Sequence, residues 1–362
     1  MKIKIFYIII LINILNVNTQ QLTLQSNLDS TLSETSGLLY LNNTLISHND
    51  SDATNQLYDI DITTGNITRT VTITNATNTD WEDLTHDDTY IYIGDIGNYT
   101  GERTDLKIYR IPIAEYFANT SVTADIINFN YSNQTDYTPS PLATNFDAEA
   151  LIHYNNNLYI FSKNWIDGKT NIYPLSKTPG TYSITNIDTV ESQGLVSGAT
   201  YNSLDNSILI CGYDLDGAFL IELSGFSSGL FSNGNFTKTS VAVPTNYSTQ
   251  IEGITPINAT DYYISAEQNN SNSQGLYYFD ISSLEVESFE QNSIGLYPNP
   301  AQEFFKINDE NCVVSIYTLD GKLIKTSSET EVNISELSTG IYLVQIQNKE
   351  THQSITKRLI ID

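Results

Sequence analysis

One plan is written five times between residues 36 and 280, and that repetition constrains the fold more than any single motif. Each copy opens with a short run holding Ser or Glu. A β-branched and aromatic run follows, then a third run ending near Asp or Gly. The opening runs carry Ser36, Glu82, Glu149, Ser197 and Glu252, spaced by 46, 67, 48 and 55 residues. Such spacing fits the four-stranded blades of a β-propeller, about 40–50 residues each, with an insertion in one blade. Fourth strands are predicted at residues 70–73, 126–129, 184–187 and 240–243. The fifth copy has none before the chain changes character. Residues 21–25 alternate as a strand and precede the first copy, so they are expected to complete the last blade and remove two open edges. The expected fold is all-β, a five-bladed propeller closed by this N-terminal strand. The longer stretch 115–145 leaves a six-bladed ring as the alternative.

In a propeller the opening strands line the central channel. Glu82, Glu149 and Glu252 should therefore converge near the axis, where like charges repel unless a cation or a shared proton relieves them. Calcium would suit such hard oxygens, with carbonyl and amide oxygens completing its shell. The alternative is that the same three glutamates separate in pKa and serve as acid and base on a glycosidic or phosphoester bond. A structural role, with the carboxylates accepting backbone N–H groups between blades, competes with both.

A second set follows the second runs and forms the candidate ligand-binding residues: His48, Asp50, Asp95, Lys163, Asn164, Asp214 and Glu267, with Asn49 and Tyr213 among them. Lys163 and Arg103 are candidates for an anionic group. Trp81, Phe146 and Trp165 are candidate platforms for sugar rings, or wedges between blades. Asp50-Ser-Asp52 and Asp214-Leu-Asp216 are weak calcium-loop signals. No nucleophile elbow, Gly-rich phosphate loop, zinc-binding helix motif or EF-hand is present. The repeat plan loosely resembles secreted phytase-like, esterase-like and lactonase propellers, and no catalytic set carries over from them.

The tail reads differently. Tyr297-Pro298-Asn299-Pro300 forces an extended entry, Asp320-Gly321 between β-branched runs is a two-residue hairpin signal, and Gly340 precedes the alternating Tyr342, Val344 and Ile346. Lys357-Arg358 and three apolar residues close the chain before Asp362. A small Ig-like β-sandwich is expected. In this order the blocks resemble the type A C-terminal sorting domain of the type IX secretion system of Bacteroidetes. The resemblance implies recognition by that secretion machinery and a sortase. It also implies passage through the periplasm, and then release or display on the outer-membrane surface.

The other end agrees with export: Lys2 and Lys4 precede an apolar run over residues 5–17, the pattern of a signal peptide. Expected boundaries are a signal peptide 1–20, propeller 21–288, linker 289–293 and sorting domain 294–362. No other run is long and apolar enough to span a bilayer. The chain carries 42 acidic against 16 basic residues, a net charge of −26, which disfavours nucleic acid and anionic lipid as partners. Cys211 and Cys312 fall in different expected domains, so no structural disulfide is expected. The sequence reading is a surface or secreted module that binds a glycan or protein with calcium as candidate cofactor, or else a hydrolase built on the three glutamates.

Overall fold

The structure, a computed structural model, describes residues 20–51, 54–244, 250–269, 272–284, 295–309, 311–319, 321–349 and 354–361. Residues 1–19 of the expected signal peptide 1–20 and the expected linker lie outside these residues, as does Asp52. The chain divides into two compact units, Met1–Leu284 and Glu285–Asp362.

The first unit holds five sheets, each running outward from one of the repeated opening strands. Those strands are Thr35–Leu41, Trp81–His86, Ala148–Tyr154, Leu195–Asn202 and Ile251–Pro256. Each occupies one edge of its own sheet and lies beside the opening strand of the next. Side chains stitch these neighbours together where no backbone ladder exists. Ser36 Oγ donates to the Glu82 carbonyl (2.5 Å), and Thr85 Oγ1 accepts from His153 N (3.1 Å). Ser197 Oγ donates to the Ile251 carbonyl (2.5 Å), and Thr255 Oγ1 accepts from Tyr40 N (2.9 Å). Apolar side chains from adjacent sheets fill the spaces between, for instance Ala150, Ile172, Val196 and Phe219 in one continuous cluster.

Asp83 ties the centre. Fully buried, its carboxylate accepts from Leu84 N (2.8 Å) in its own strand and from Leu151 N (2.8 Å) in the third sheet. A longer bond of 3.4 Å comes from Ala199 N in the fourth. Removing the acceptor strands buried donors, each costing about 1–3 kcal/mol. Asp83→Ala is therefore expected to lower stability by about 2–4 kcal/mol, read as a lower urea midpoint.

The N-terminal segment serves two sheets. Gln20–Gln21 adds to the outer strand of the fourth sheet in parallel, and Thr23–Asn27 is the outer strand of the fifth, antiparallel to Gly275–Asp280. The long stretch that left a six-bladed ring as the alternative contributes no separate sheet among the described residues. Its helix Ile113–Ala118 leads to Ser121–Val122, which extends the first sheet, and Asp125–Tyr131 is the fourth strand of the second. One fourth strand differs from expectation. Gly180–Ile184 crosses to pair in parallel with Asp125–Tyr131 of the second sheet, and Asp188–Val190 completes the third.

The second unit has a three-stranded and a four-stranded sheet sharing one core that includes Phe305, Val314, Ile316, Val344 and Leu359. Asp320 of the hairpin expected at Asp320-Gly321 lies outside the described residues; the flanking strands Cys312–Tyr317 and Leu323–Ser327 pair antiparallel, with Gly321 at φ 80°. Cys211 and Cys312 are free and buried, each in its own unit. Among the described residues no helix is long and apolar enough to cross a membrane.

Candidate functional site

All five opening strands break register at the same point. The ladder jumps between Thr35 and Leu38, Trp81 and Asp83, Ala148 and Ala150, Val196 and Gly198, and Ile251 and Ile254. The aligned Ser36, Glu82, Glu149, Ser197 and Glu252 sit in these five bulges. A bulge leaves a residue outside the ladder and re-aims its side chain, so the same aligned position is turned out of its pleat in all five strands. Glycine follows the bulged residue where the neighbouring backbone comes close. A Cβ on Gly198 would lie 2.1 Å from the Glu252 carbonyl oxygen, and one on Gly253 would lie 2.4 Å from that of Ser36.

The two serines spend their hydroxyls on the next strand, as described above. The three glutamates enter a dense acidic cluster. Glu82 and Glu252 are 4% exposed, Glu149 8% and the neighbouring Asp147 1%. Carboxylate oxygens of Asp50, Asp80 and Glu82 lie within 4.8 Å of one another, a group of hard donors fit for a metal ion. Gly97 packs so closely that a Cβ there would lie 2.1 Å from Glu82 Oε1 and 2.4 Å from Asp80 Oδ2. Glu149 Oε1 pairs with Lys163 Nζ at 3.0 Å. That ammonium also lies 5.2 Å from the ring centroids of both Trp165 and Tyr213. Glu267 accepts from Gln250 Nε2 (3.1 Å), while Glu252 Oε2 is buried without a hydrogen-bond partner.

The electrostatics follow from burial and crowding. Burial, then the charges of Asp50, Glu149 and Asp80, push the Glu82 carboxyl well above the usual range. Asp50 rises for the same reasons, burial first and Glu149 next. Burial and Glu149 raise Asp80 to about 7 against the pull of Arg103, and burial raises Glu267 to about 7. Asp147 reaches about 6, again by burial and then Glu149, although Trp165 Nε1 (2.7 Å) and Asn98 N (2.6 Å) donate to it. Glu252 is raised by burial and by Glu267. Lys163 is held charged: burial opposes its charge, and Glu149 and Glu252 outweigh that.

The cluster thus brings together Glu82, Glu149, Glu252, Asp50, Lys163 and Glu267 from the sequence reading, with Tyr213 against the lysine. Asp80 and Asp147 were missed. Each stands two residues before a bulged glutamate, an Asp-x-Glu spacing present in the second and third repeats only. The remaining candidates are occupied elsewhere. Asp95 is fully buried and paired with Arg103 (2.8 Å), which also donates to the Gly97 carbonyl (2.7 Å), so neither is free for a ligand. Asn164 is buried and joined to Ser162 and Asp167. Asp214 pairs with Lys238 and accepts from Asp216 N, closing its own turn. His48 is wholly buried against Trp81, and burial lowers its pKa to about 4, so it stays neutral. Trp81 is core, with its indole N–H on the Thr77 carbonyl (3.0 Å).

No curated protein matches this chain. Among solved structures it is similar to PorZ, a surface component of the type IX secretion system of Porphyromonas gingivalis, at 13% identity and a TM-score of 0.35. That match covers 91% of this chain and 45% of PorZ, so the chain spans less than half the length of that relative. It is also similar to a GH43 β-xylosidase/α-arabinofuranosidase from a compost metagenome, at 8% identity and a TM-score of 0.42, covering 84% of this chain and 98% of the enzyme. At these scores neither likeness carries an argument about activity. Residues 295–362 match the secretion system C-terminal sorting domain, so the C-terminal unit carries the label for type IX export to the cell surface or beyond.

Proposed function

We propose that the first unit is a five-bladed β-propeller that binds a hard divalent cation, calcium by its oxygen chemistry, and works outside the cell as a ligand-binding module. The observation that carries this reading is the set of five register breaks at the aligned Ser and Glu positions. Five strands each surrender ladder pairing at one place, and three of the five redirected groups are glutamates of the acidic cluster. Seven acidic side chains, Asp50, Asp80, Glu82, Asp147, Glu149, Glu252 and Glu267, gather with Lys163 as the basic residue paired among them. Their mutual repulsion is relieved by a cation, and the partnerless Glu252 Oε2 is the group most in need of one. Glu82, Asp50 and Asp80 would hold the ion, with Glu252 and Glu149 completing its surroundings. A glycan or surface protein rich in oxygen donors then suits the exposed side of this mouth.

Calorimetric titration of the metal-stripped protein with calcium tests the cation. Saturable binding is expected, and Glu82→Gln and Asp80→Asn should each weaken it by at least about tenfold. Absence of binding at millimolar calcium would overturn the reading. A hydrolytic alternative is supported by one feature: burial and crowding raise Asp80 and Glu267 to about 7 and Asp147 to about 6, the range in which a general acid or base works. Turnover of a glycoside or phosphoester by the calcium-loaded protein, lost in Glu149→Gln, would favour it over simple binding.

A further inference from the structure

The opposite ends of the same five strands enclose a second space that the acidic mouth does not explain. A cavity of about 480 Å³ is lined by Tyr40, His86, Tyr154, Tyr201 and Pro256, one from the C-terminal end of each opening strand. Every sheet of the unit therefore contributes to it. The size lies in the range of small-ligand sites.

Its charges are already spent. Lys177 Nζ pairs with Asp87 Oδ2 at 2.7 Å, and the same carboxylate accepts from Tyr92 OH (2.9 Å), Thr89 N (2.8 Å) and Tyr90 N (2.7 Å). An anionic ligand would have to break that arrangement, since Lys177 is the basic lining residue. A cationic one would find only exposed Asp88. What remains is polar and able to hydrogen-bond: His86, His153, Asn155, Asn156, Thr200 and Ser203. His86 donates from Nδ1 to the Asp87 carbonyl (3.0 Å), which leaves Nε2 as its other polar atom. His153 Nε2 makes no hydrogen bond within the protein, and burial keeps that imidazole neutral by lowering its pKa. Tyr154 and Tyr201 meet edge to face at 4.9 Å, and with Tyr40 and Pro256 they supply apolar surface between the polar groups.

Aromatic surface interleaved with neutral donors and acceptors is the recognition chemistry of an uncharged carbohydrate, whose rings present C–H faces and a rim of hydroxyls. We infer that this cavity is a second ligand site, for a neutral mono- or disaccharide unit, on the side of the ring away from the acidic cluster. The inference does not rest on the cation reading.

The test uses the full chain, loaded with calcium and also stripped with chelator. It is titrated by saturation-transfer NMR against lactose, cellobiose, maltose and N-acetylglucosamine, with glucuronate as the charged comparison. At least one neutral sugar is expected to bind in both preparations, with glucuronate at least about tenfold weaker. Tyr201→Ala should weaken the sugar by about tenfold or more. Because Tyr201 packs on Tyr154, a second variant guards against loss of fold. Asn155→Asp changes an exposed turn residue at φ 45°, a conformation that Asp tolerates, and adds charge at the rim. It should weaken neutral sugars as well. Binding that survives both variants unchanged, binding of glucuronate equal to that of the neutral sugars, or no binding by any neutral sugar would each overturn the inference. Binding abolished by chelator alone would also overturn it, by moving the sugar to the acidic mouth.

Discussion

Deletion of residues 295–362 is expected to abolish appearance of the protein outside the cell and to leave it in the periplasm. The deleted span is the sorting domain itself, and it forms a compact unit with its own apolar core. The preceding unit has apolar clusters of its own, so the shortened protein should fold while failing to be exported. Fractionation followed by immunoblotting reads the result. The shortened protein in the medium or on the surface at the level of the full chain would remove the export role of this domain.

The second large effect is a stability that calcium controls and pH modulates. In the metal-free protein Asp80 and Glu267 have folded-state values near 7 and Asp147 near 6, against 3.8 to 4.5 unfolded. Between the two values the folded state holds protons that the unfolded chain has lost, so stability falls as pH rises through the window from about 4 to about 7. Groups such as Asp87 act in the opposite sense at lower pH, since Lys177 and other donors outweigh its burial and hold it at about 2. Buried His48 and half-buried His153 also act in the opposite sense up to about pH 6.5, so melting measured from pH 5 to pH 8 reads the cluster most directly in its upper half. With chelator, the melting temperature should decline across that range. Calcium binds the ionised form, so its benefit should be small at pH 5 and large at pH 8. At a hundredfold excess over the dissociation constant the gain is about 2.7 kcal/mol, or roughly 5–10 °C for a unit of this size. Glu82→Gln should shrink the calcium gain at pH 8 by removing a ligand oxygen from the Asp50, Asp80 and Glu82 group. A melting temperature at pH 8 indifferent to both chelator and Glu82→Gln would sink the cation assignment.

The repeat and its five aligned positions were legible because hydrophobic alternation and spacing are written directly in residue types. Glu82, Glu149 and Glu252 stood out on that basis, and the structure gathers them with Asp50, Lys163 and Glu267. The bulges were not legible, because a register break depends on the partner strand and leaves no local signature. Asp80 and Asp147 lie before the opening strands, so an alignment of strands passes over them. Asp95 ends a second strand much as Asp50 does, yet Arg103 comes back from a loop to occupy it. Such long-range pairings are decided in three dimensions. The same holds for Gly180–Ile184, whose parallel pairing with another sheet cannot be told from its composition.

The double pairing of the N-terminal segment governs when the molecule can be finished. Thr23 lies opposite Tyr278, so the first described stretch to be synthesised waits for almost the last piece of its unit. The fifth sheet cannot acquire its outer strand until more than 250 residues have followed, and contacts so distant in sequence are slow to form. Until that pairing forms, Gly275–Asp280 presents an unpaired sheet edge. Completion becomes available only once both ends of the unit share one compartment.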